Sequence, residues 1–172
     1  CGPCWVAAEA ARGEGLCLDA GNHLAPPHEI RTGSGGLYKV YSAFWRALSE
    51  RMPPENALPV PRVIGAPDKW PKSDGLADWN LLPSKPDWAK GFIADWTPGE
   101  AEALRKAEDF IGEVGDYEDR RDLPGVEGTS RLSPHLHFGE ISPRTVWHQL
   151  EGARNAAKFR KEMAWRDFAA SL

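Results

Sequence analysis

Residues 128–144, GTSRLSPHLHFGEISPR, are the most chemically loaded stretch of the chain. They combine hydroxyls, two arginines, two histidines and a glutamate with two Ser-Pro steps nine residues apart. Ser-Pro favours a helix start, and a helix start exposes unpaired N–H groups carrying partial positive charge. Thr129, Ser130 and Ser133 add hydroxyl donors, and Arg131 adds a planar charged fork. Such a set suits a phosphate or pyrophosphate. The same residues also suit plain helix capping, and spacing alone leaves both readings open. His135 and His137 lie two apart on a short helix, so they do not share a face and make a poor single metal site. Both are expected to be packed and hydrogen-bonded, and no metal site is expected.

A second constellation lies near the C-terminal end of the sequence. Glu162, Trp165 and Arg166 stand at i, i+3 and i+4, hence on one helix face, with Phe159 on the same stripe. An aromatic plate beside a carboxylate and a guanidinium suits a pocket that stacks a flat ring and binds its polar edge. The plainer alternative is a core tryptophan with Glu162 and Arg166 facing solvent. A third signal is the opening CGPC, with Cys1 and Cys4 at thiol-redox spacing and Cys17 nearby. That chemistry needs a strand before the motif and a helix after it, and no residue precedes Cys1 in the sequence. Zinc would need four regularly spaced ligands, and only His23 and His28 are close.

The elements that must position these residues divide the chain. Residues 6–30 read as a short helix over Val6–Arg12, a strand around LCLDA and a loop, the edge of an α/β unit. RTGSGG (31–36) is a glycine-rich turn without the lysine of a phosphate loop. A helix capped by Ser42 carries Phe44, Trp45 and Leu48 and stops at Pro53-Pro54. Residues 53–96 are rich in Pro, Trp and Asp and keep no period. That is a long connector, and its tryptophans are expected to pin it onto a folded surface. Thr97, Pro98 and Glu100 then form a capping box, and Ala101, Leu104, Ala107, Ile111 and Val114 form one apolar face. Helices follow at Ser133-Pro134, at Ser142-Pro143 and after Asn155, the last about 17 residues long by this reading. The C-terminal half is expected to be all helical.

At 172 residues the chain can bury one ordinary core. Its net charge of −4 means that any nucleic-acid surface must be a local patch. Mean hydropathy is −0.50. No apolar run approaches the ~20 residues of a membrane span, and no signal-peptide pattern is visible. The chain begins with Cys1, so the expectation is an internal fragment.

GTSRLSPHLHFGEISPRTVW followed by EMAWRDFAASL resembles the DNA photolyase/cryptochrome family, most closely the bacterial cyclobutane pyrimidine dimer photolyases. RTGSGGLYKVYSAFWRAL, LLPSKPDWAKGF, WTPGEAEAL and YEDRRDLPGVEGTSRLS are similar to further segments of that family, in the same order. The resemblance implies a mainly α chain. Residues 1–36 would be the C-terminal edge of an α/β antenna domain, 37–95 an interdomain connector, and 96–172 the first part of a helical FAD-binding domain. It implies a light-driven DNA-repair lyase acting on ultraviolet-damaged DNA, monomeric and cytoplasmic, with FAD and a folate or deazaflavin antenna chromophore in the intact protein. Tyr117, Thr129, Ser130, Arg131, Leu132, Ser133 and Arg166 would hold FAD. Glu162 and Trp165 would be catalytic and bind the dimer, and Arg144 would contact DNA. The family chain is longer, so this piece alone is expected to be inactive. The rival readings are a cryptochrome-type photoreceptor and a thiol oxidoreductase built on Cys1 and Cys4.

Overall fold

A computed structural model gives the structure of the protein and describes residues 21–172. The expected helix at Val6–Arg12, the strand around LCLDA and the three cysteines lie outside the described residues. In chain order the α-helices are α1 (Tyr41–Ser49), α2 (Phe92–Asp95), α3 (Glu100–Glu113), α4 (Tyr117–Arg120), α5 (Ser133–His137), α6 (Pro143–Gln149) and α7 (Ala157–Ser171). Short 3₁₀ turns stand at Leu76–Trp79 and Val114–Asp116. There is no strand among the described residues, as a mainly α chain requires.

Two compact units can be distinguished. One holds residues 21–57 and 99–172, and the other holds 58–98. In the first unit, Leu24, Phe44, Leu48, Leu132, Val146 and Leu150 are almost fully buried. Helix α1 lays Phe44 and Leu48 inward, and Phe44 meets Phe168 of α7 with ring centroids 5.3 Å apart. Residues 21–30, expected at the edge of an α/β domain, pack in this same unit. Leu24, Ala25 and Ile30 belong to its core. The backbone N–H groups of Leu24 and Ala25 donate to Asp167 of α7, at 2.8 and 3.3 Å.

Three helix starts differ from expectation, each for a local reason. Helix α3 begins at Glu100, not after a Thr97 cap. Gly99 sits before it at φ 116°, a conformation that favours glycine. The Gly99 N–H is met instead by the carboxylate of Glu140, from 41 positions further along the chain. Ser42 lies inside α1, whose N-cap residue is Val40, with no side-chain cap. Asn155 has φ 56° and donates its side-chain amide to the Gly115 carbonyl at 3.3 Å, so α7 starts two residues later at Ala157.

The apolar face of α3 is also rotated from the expected one. Ala103 and Ala107 are buried, whereas Leu104 is 38% exposed and Ala101 is exposed. Two alanines one turn apart let the backbone approach α6 closely, which a leucine there would prevent. The outward side carries an ion network in which Arg105 meets Glu102 at 2.7 Å and Asp109 at 2.6 Å.

The second unit is irregular, as its composition predicts. Of its tryptophans, Trp96 is partly buried and three are exposed. Trp70, Trp79 and Trp88 are 77%, 56% and 65% exposed. Trp88 makes an edge contact with Phe92, with centroids 6.0 Å apart.

Candidate ligand cleft

The two Ser-Pro steps prove chemically different. At the second, the Ser142 hydroxyl caps α6 by accepting the Arg144 N–H at 3.2 Å. At the first, Ser133 is already the first residue of α5, and that helix has no side-chain cap. Ser133 is exposed and its side chain lines a cleft of about 590 Å³. Capping therefore accounts for Ser142 and leaves the Ser133 hydroxyl available to the cleft.

One wall of this cleft is the loop 129–133. Thr129, Ser130 and Arg131 line it together with Ser133. Two backbone features set the loop. A Cβ on Gly128 would lie 2.6 Å from Arg120 Cβ and 2.7 Å from the Arg120 carbonyl carbon and oxygen, so only glycine fits where the loop crosses α4. Arg131 adopts φ 51°, the left-handed region that L-residues rarely occupy. Its guanidinium stands 3.6 Å from the exposed Glu127 carboxylate. Ser130 Oγ accepts the Leu132 N–H at 3.3 Å. Leu132 itself is fully buried and anchors the loop without lining the cleft.

The facing wall is α7 with Tyr117 of α4. Glu162 and Arg166 line the cleft, and Phe159 and Met163 give it an apolar floor. Tyr117 packs edge-on against Phe159 (5.2 Å) and Phe110 (5.6 Å). Burial pushes the Tyr117 phenol up, Arg121 opposes this, and the Glu162 and Asp122 charges add to it.

Glu162 is held by Arg121, whose Nη1 lies 2.5 Å from Oε1 and donates to the Tyr117 hydroxyl at 3.2 Å. Burial lowers the Arg121 pKa, but the hydrogen bond to Glu162 and the neighbouring charges outweigh it, so the group is held more firmly charged than usual. Arg166 is fixed by three bonds: to the Asn22 carbonyl at 2.6 Å, the Asn22 side-chain oxygen at 2.5 Å and the Leu136 carbonyl at 3.0 Å. Burial lowers its pKa, partly offset by Asp167. Arg131, Arg166 and Glu162 thus line the cleft, with Arg121 bound to Glu162 and Asp122 and Arg131 paired with Glu127.

The structure brings together Tyr117, Thr129, Ser130, Arg131, Ser133, Glu162 and Arg166 around this cleft. Trp165 and Arg144 stand apart from it. Trp165 is 44% exposed and stacks on Tyr41 of α1, with centroids 3.7 Å apart and planes 7° from parallel. Burial, then the Glu162 charge, pushes the Tyr41 phenol up to about 12. Arg144 donates to the His23 carbonyl at 3.1 Å and lies 3.6 Å from Glu55, beside a smaller hollow.

His135 is buried, as expected, with Nδ1 2.5 Å from Glu140. His137, expected to be packed, is exposed and lines the cleft. Arg121 was not foreseen, although Tyr117 and Arg121 stand one turn apart in YEDRR. Asn22 and Tyr41 gave no sequence signal. No cluster of three or more potential metal ligands exists among the described residues.

No family model matches the chain. Curated relatives do. It is 46% identical over 170 residues to a deoxyribodipyrimidine photo-lyase of Agrobacterium fabrum, covering 94% of this chain and 36% of that protein. Proteins of the same name from Halobacterium salinarum and Escherichia coli are 37% and 31% identical, covering 90% and 84% of this chain and 34% and 31% of theirs. A crystal structure of a bacterial class III photolyase from Agrobacterium tumefaciens superposes with a TM-score of 0.83 at 44% identity, over 97% of this chain and 36% of that one. The chain spans about a third of the length of these relatives. Over that span, fold and sequence agree, and the chain belongs to the DNA photolyase/cryptochrome family.

Proposed function

We propose that the chain is part of a light-driven, FAD-dependent lyase that splits cyclobutane pyrimidine dimers in ultraviolet-damaged DNA. The observation that carries this reading is the cleft itself. A loop carrying the exposed hydroxyls of Thr129 and Ser133 and the guanidinium of Arg131 faces a helix presenting Glu162 and Arg166, within a chain of photolyase descent.

The donor set fits the proposed cofactor. The exposed hydroxyls of Thr129 and Ser133 and the guanidinium of Arg131 are hydrogen-bond donors of the kind a pyrophosphate requires. Arg166, pinned by Asn22 and Leu136, presents a fixed positive charge suited to balance an anionic flavin. The chemistry supplied by bound, reduced FAD is light-driven transfer of one electron to the dimer, which splits and returns it. The chain's residues bind and orient. Glu162 would face the polar edge of the dimer, where its carboxylate accepts a base N–H. Trp165 offers a flat apolar surface to the flipped-out bases, whose unstacking is least costly at a damaged step. An antenna chromophore, folate or deazaflavin, belongs to the proposal for the whole protein, and no described residue is assigned to it. Membrane insertion is not part of the reading, since no helix among the described residues is long and apolar enough to cross a bilayer.

The test is Trp165→Ala in the full-length protein. Stacking of a base on an aromatic ring is worth about 1–3 kcal/mol, so affinity for a dimer-containing oligonucleotide in the dark should fall about 5- to 150-fold while flavin content holds. Unchanged dimer affinity would sink the assignment.

A further inference from the structure

We propose that Tyr41 is a positioning residue, which fixes the plane of the Trp165 indole so that one face of it is presented to a flat, stacked ligand. This rests on the reading of Trp165 as the surface that meets the pyrimidine dimer. It adds a residue from α1, 121 positions before the Glu162 carboxylate, that no motif marks.

The geometry is that of a backing plate. The two rings lie 3.7 Å apart and within 7° of parallel, so Tyr41 covers one indole face while Trp165 remains 44% exposed. Tyr41 is itself held at both ends. Its hydroxyl donates to the Lys161 carbonyl at 2.5 Å, one helical turn before Trp165. Its ring meets the Phe168 ring at 5.8 Å and 71°. Phe168 also supports Trp165 directly, at 5.6 Å and 75°, and is buried against Phe44.

An exposed tryptophan without such support would sample several rotamers, and a ligand would have to select one of them. A ring already stacked has lost that freedom before binding, which favours association without any contact between Tyr41 and the ligand. The neighbouring Trp45 is instead partly buried against the core.

The experiment uses the full-length protein with Tyr41→Phe, Tyr41→Leu, Trp165→Ala and the Tyr41→Leu/Trp165→Ala pair. Two readouts are taken. The first is dark binding of a short oligonucleotide carrying one thymine dimer against its undamaged counterpart. The second is ¹⁹F NMR of protein labelled with 5-fluorotryptophan, the Trp165 resonance being identified by its loss in Trp165→Phe. Tyr41→Phe keeps the plate and should bind within about twofold of the parent, whereas Tyr41→Leu should lose roughly tenfold in dimer affinity. The Trp165 resonance should shift and broaden in Tyr41→Leu alone. The pair should bind no more weakly than Trp165→Ala by itself. An unshifted Trp165 resonance in Tyr41→Leu, or full dimer affinity in that variant while Trp165→Ala is impaired, overturns the proposal. Full affinity in Trp165→Ala instead overturns the reading on which it rests.

Discussion

At the scale of single residues, the cleft works by leaving some donors uncommitted and holding others rigidly. Ser133 and Ser142 stand in identical Ser-Pro steps, yet only Ser142 caps its helix. Arg121 and Arg166 are committed to protein acceptors. Arg131 is about half exposed and pairs with the exposed Glu127 at 3.6 Å. Surface pairs of that kind contribute little to stability. A hydrogen bond from a charged donor is worth about 1.5–3 kcal/mol net. Arg131→Ala should therefore weaken flavin retention by roughly tenfold or more with melting temperature nearly unchanged. Flavin-to-protein absorbance after gel filtration measures the first and thermal unfolding the second. A fully flavin-loaded variant would remove Arg131 from the cradle.

At the scale of elements, the positioning is done by crossings between distant segments. Gly128 is one. A methyl group there meets Arg120 backbone at 2.7 Å, and such overpacking costs about 1–3 kcal/mol. Gly128→Ala should lower the melting temperature and, by displacing the 129–133 loop, reduce flavin retention as well. That double effect distinguishes it from Arg131→Ala. His148 on α6 is another crossing. It lies 2.9 Å from Glu151 and 2.8 Å from the Pro54 carbonyl, so α6 holds the chain that leaves α1. The Glu151 hydrogen bond raises the His148 pKa above 6.5, burial opposes it, and the Pro54 carbonyl, the Glu151 charge and the Glu55 backbone add to the rise. A folded pKa above the unfolded one gives stability that is complete below 6.5 and lost as pH rises through the folded value. Melting temperature should therefore fall as pH rises above about 6.5, and His148→Gln should flatten that slope. An unchanged slope in the variant would place the dependence elsewhere.

At the scale of the whole molecule, one helix organises the account. Helix α7 buries Phe159, Met163, Ala164 and Phe168, turns Glu162 and Arg166 to the cleft, and binds residues 22–25 through Arg166 and Asp167. Much of this was legible in the sequence. The helical half, the irregular character of the 53–96 stretch and the shared face of Glu162 and Arg166 on α7 follow from periodicity and composition, whereas Trp165, expected with them, stacks on Tyr41 away from the cleft. What was hidden depended on partners far along the chain. Asn22 and Tyr41 act on α7 across more than a hundred residues and carry no local signal. The phase of α3 was misjudged because close packing selected Ala103 and Ala107 over the more hydrophobic Leu104. The two Ser-Pro steps differ in which hydroxyl caps its helix, a difference that no local sequence signal marks.

The most direct test of the central claim is photorepair. The full-length protein, reduced and kept dark, is mixed with an oligonucleotide carrying one cyclobutane thymine dimer, and then illuminated with blue light. Intact thymines should reappear under light and none in the dark, and repair per bound dimer should fall in Glu162→Ala. Flavin-loaded protein that binds the dimer and restores no thymines under blue light would contradict the claim.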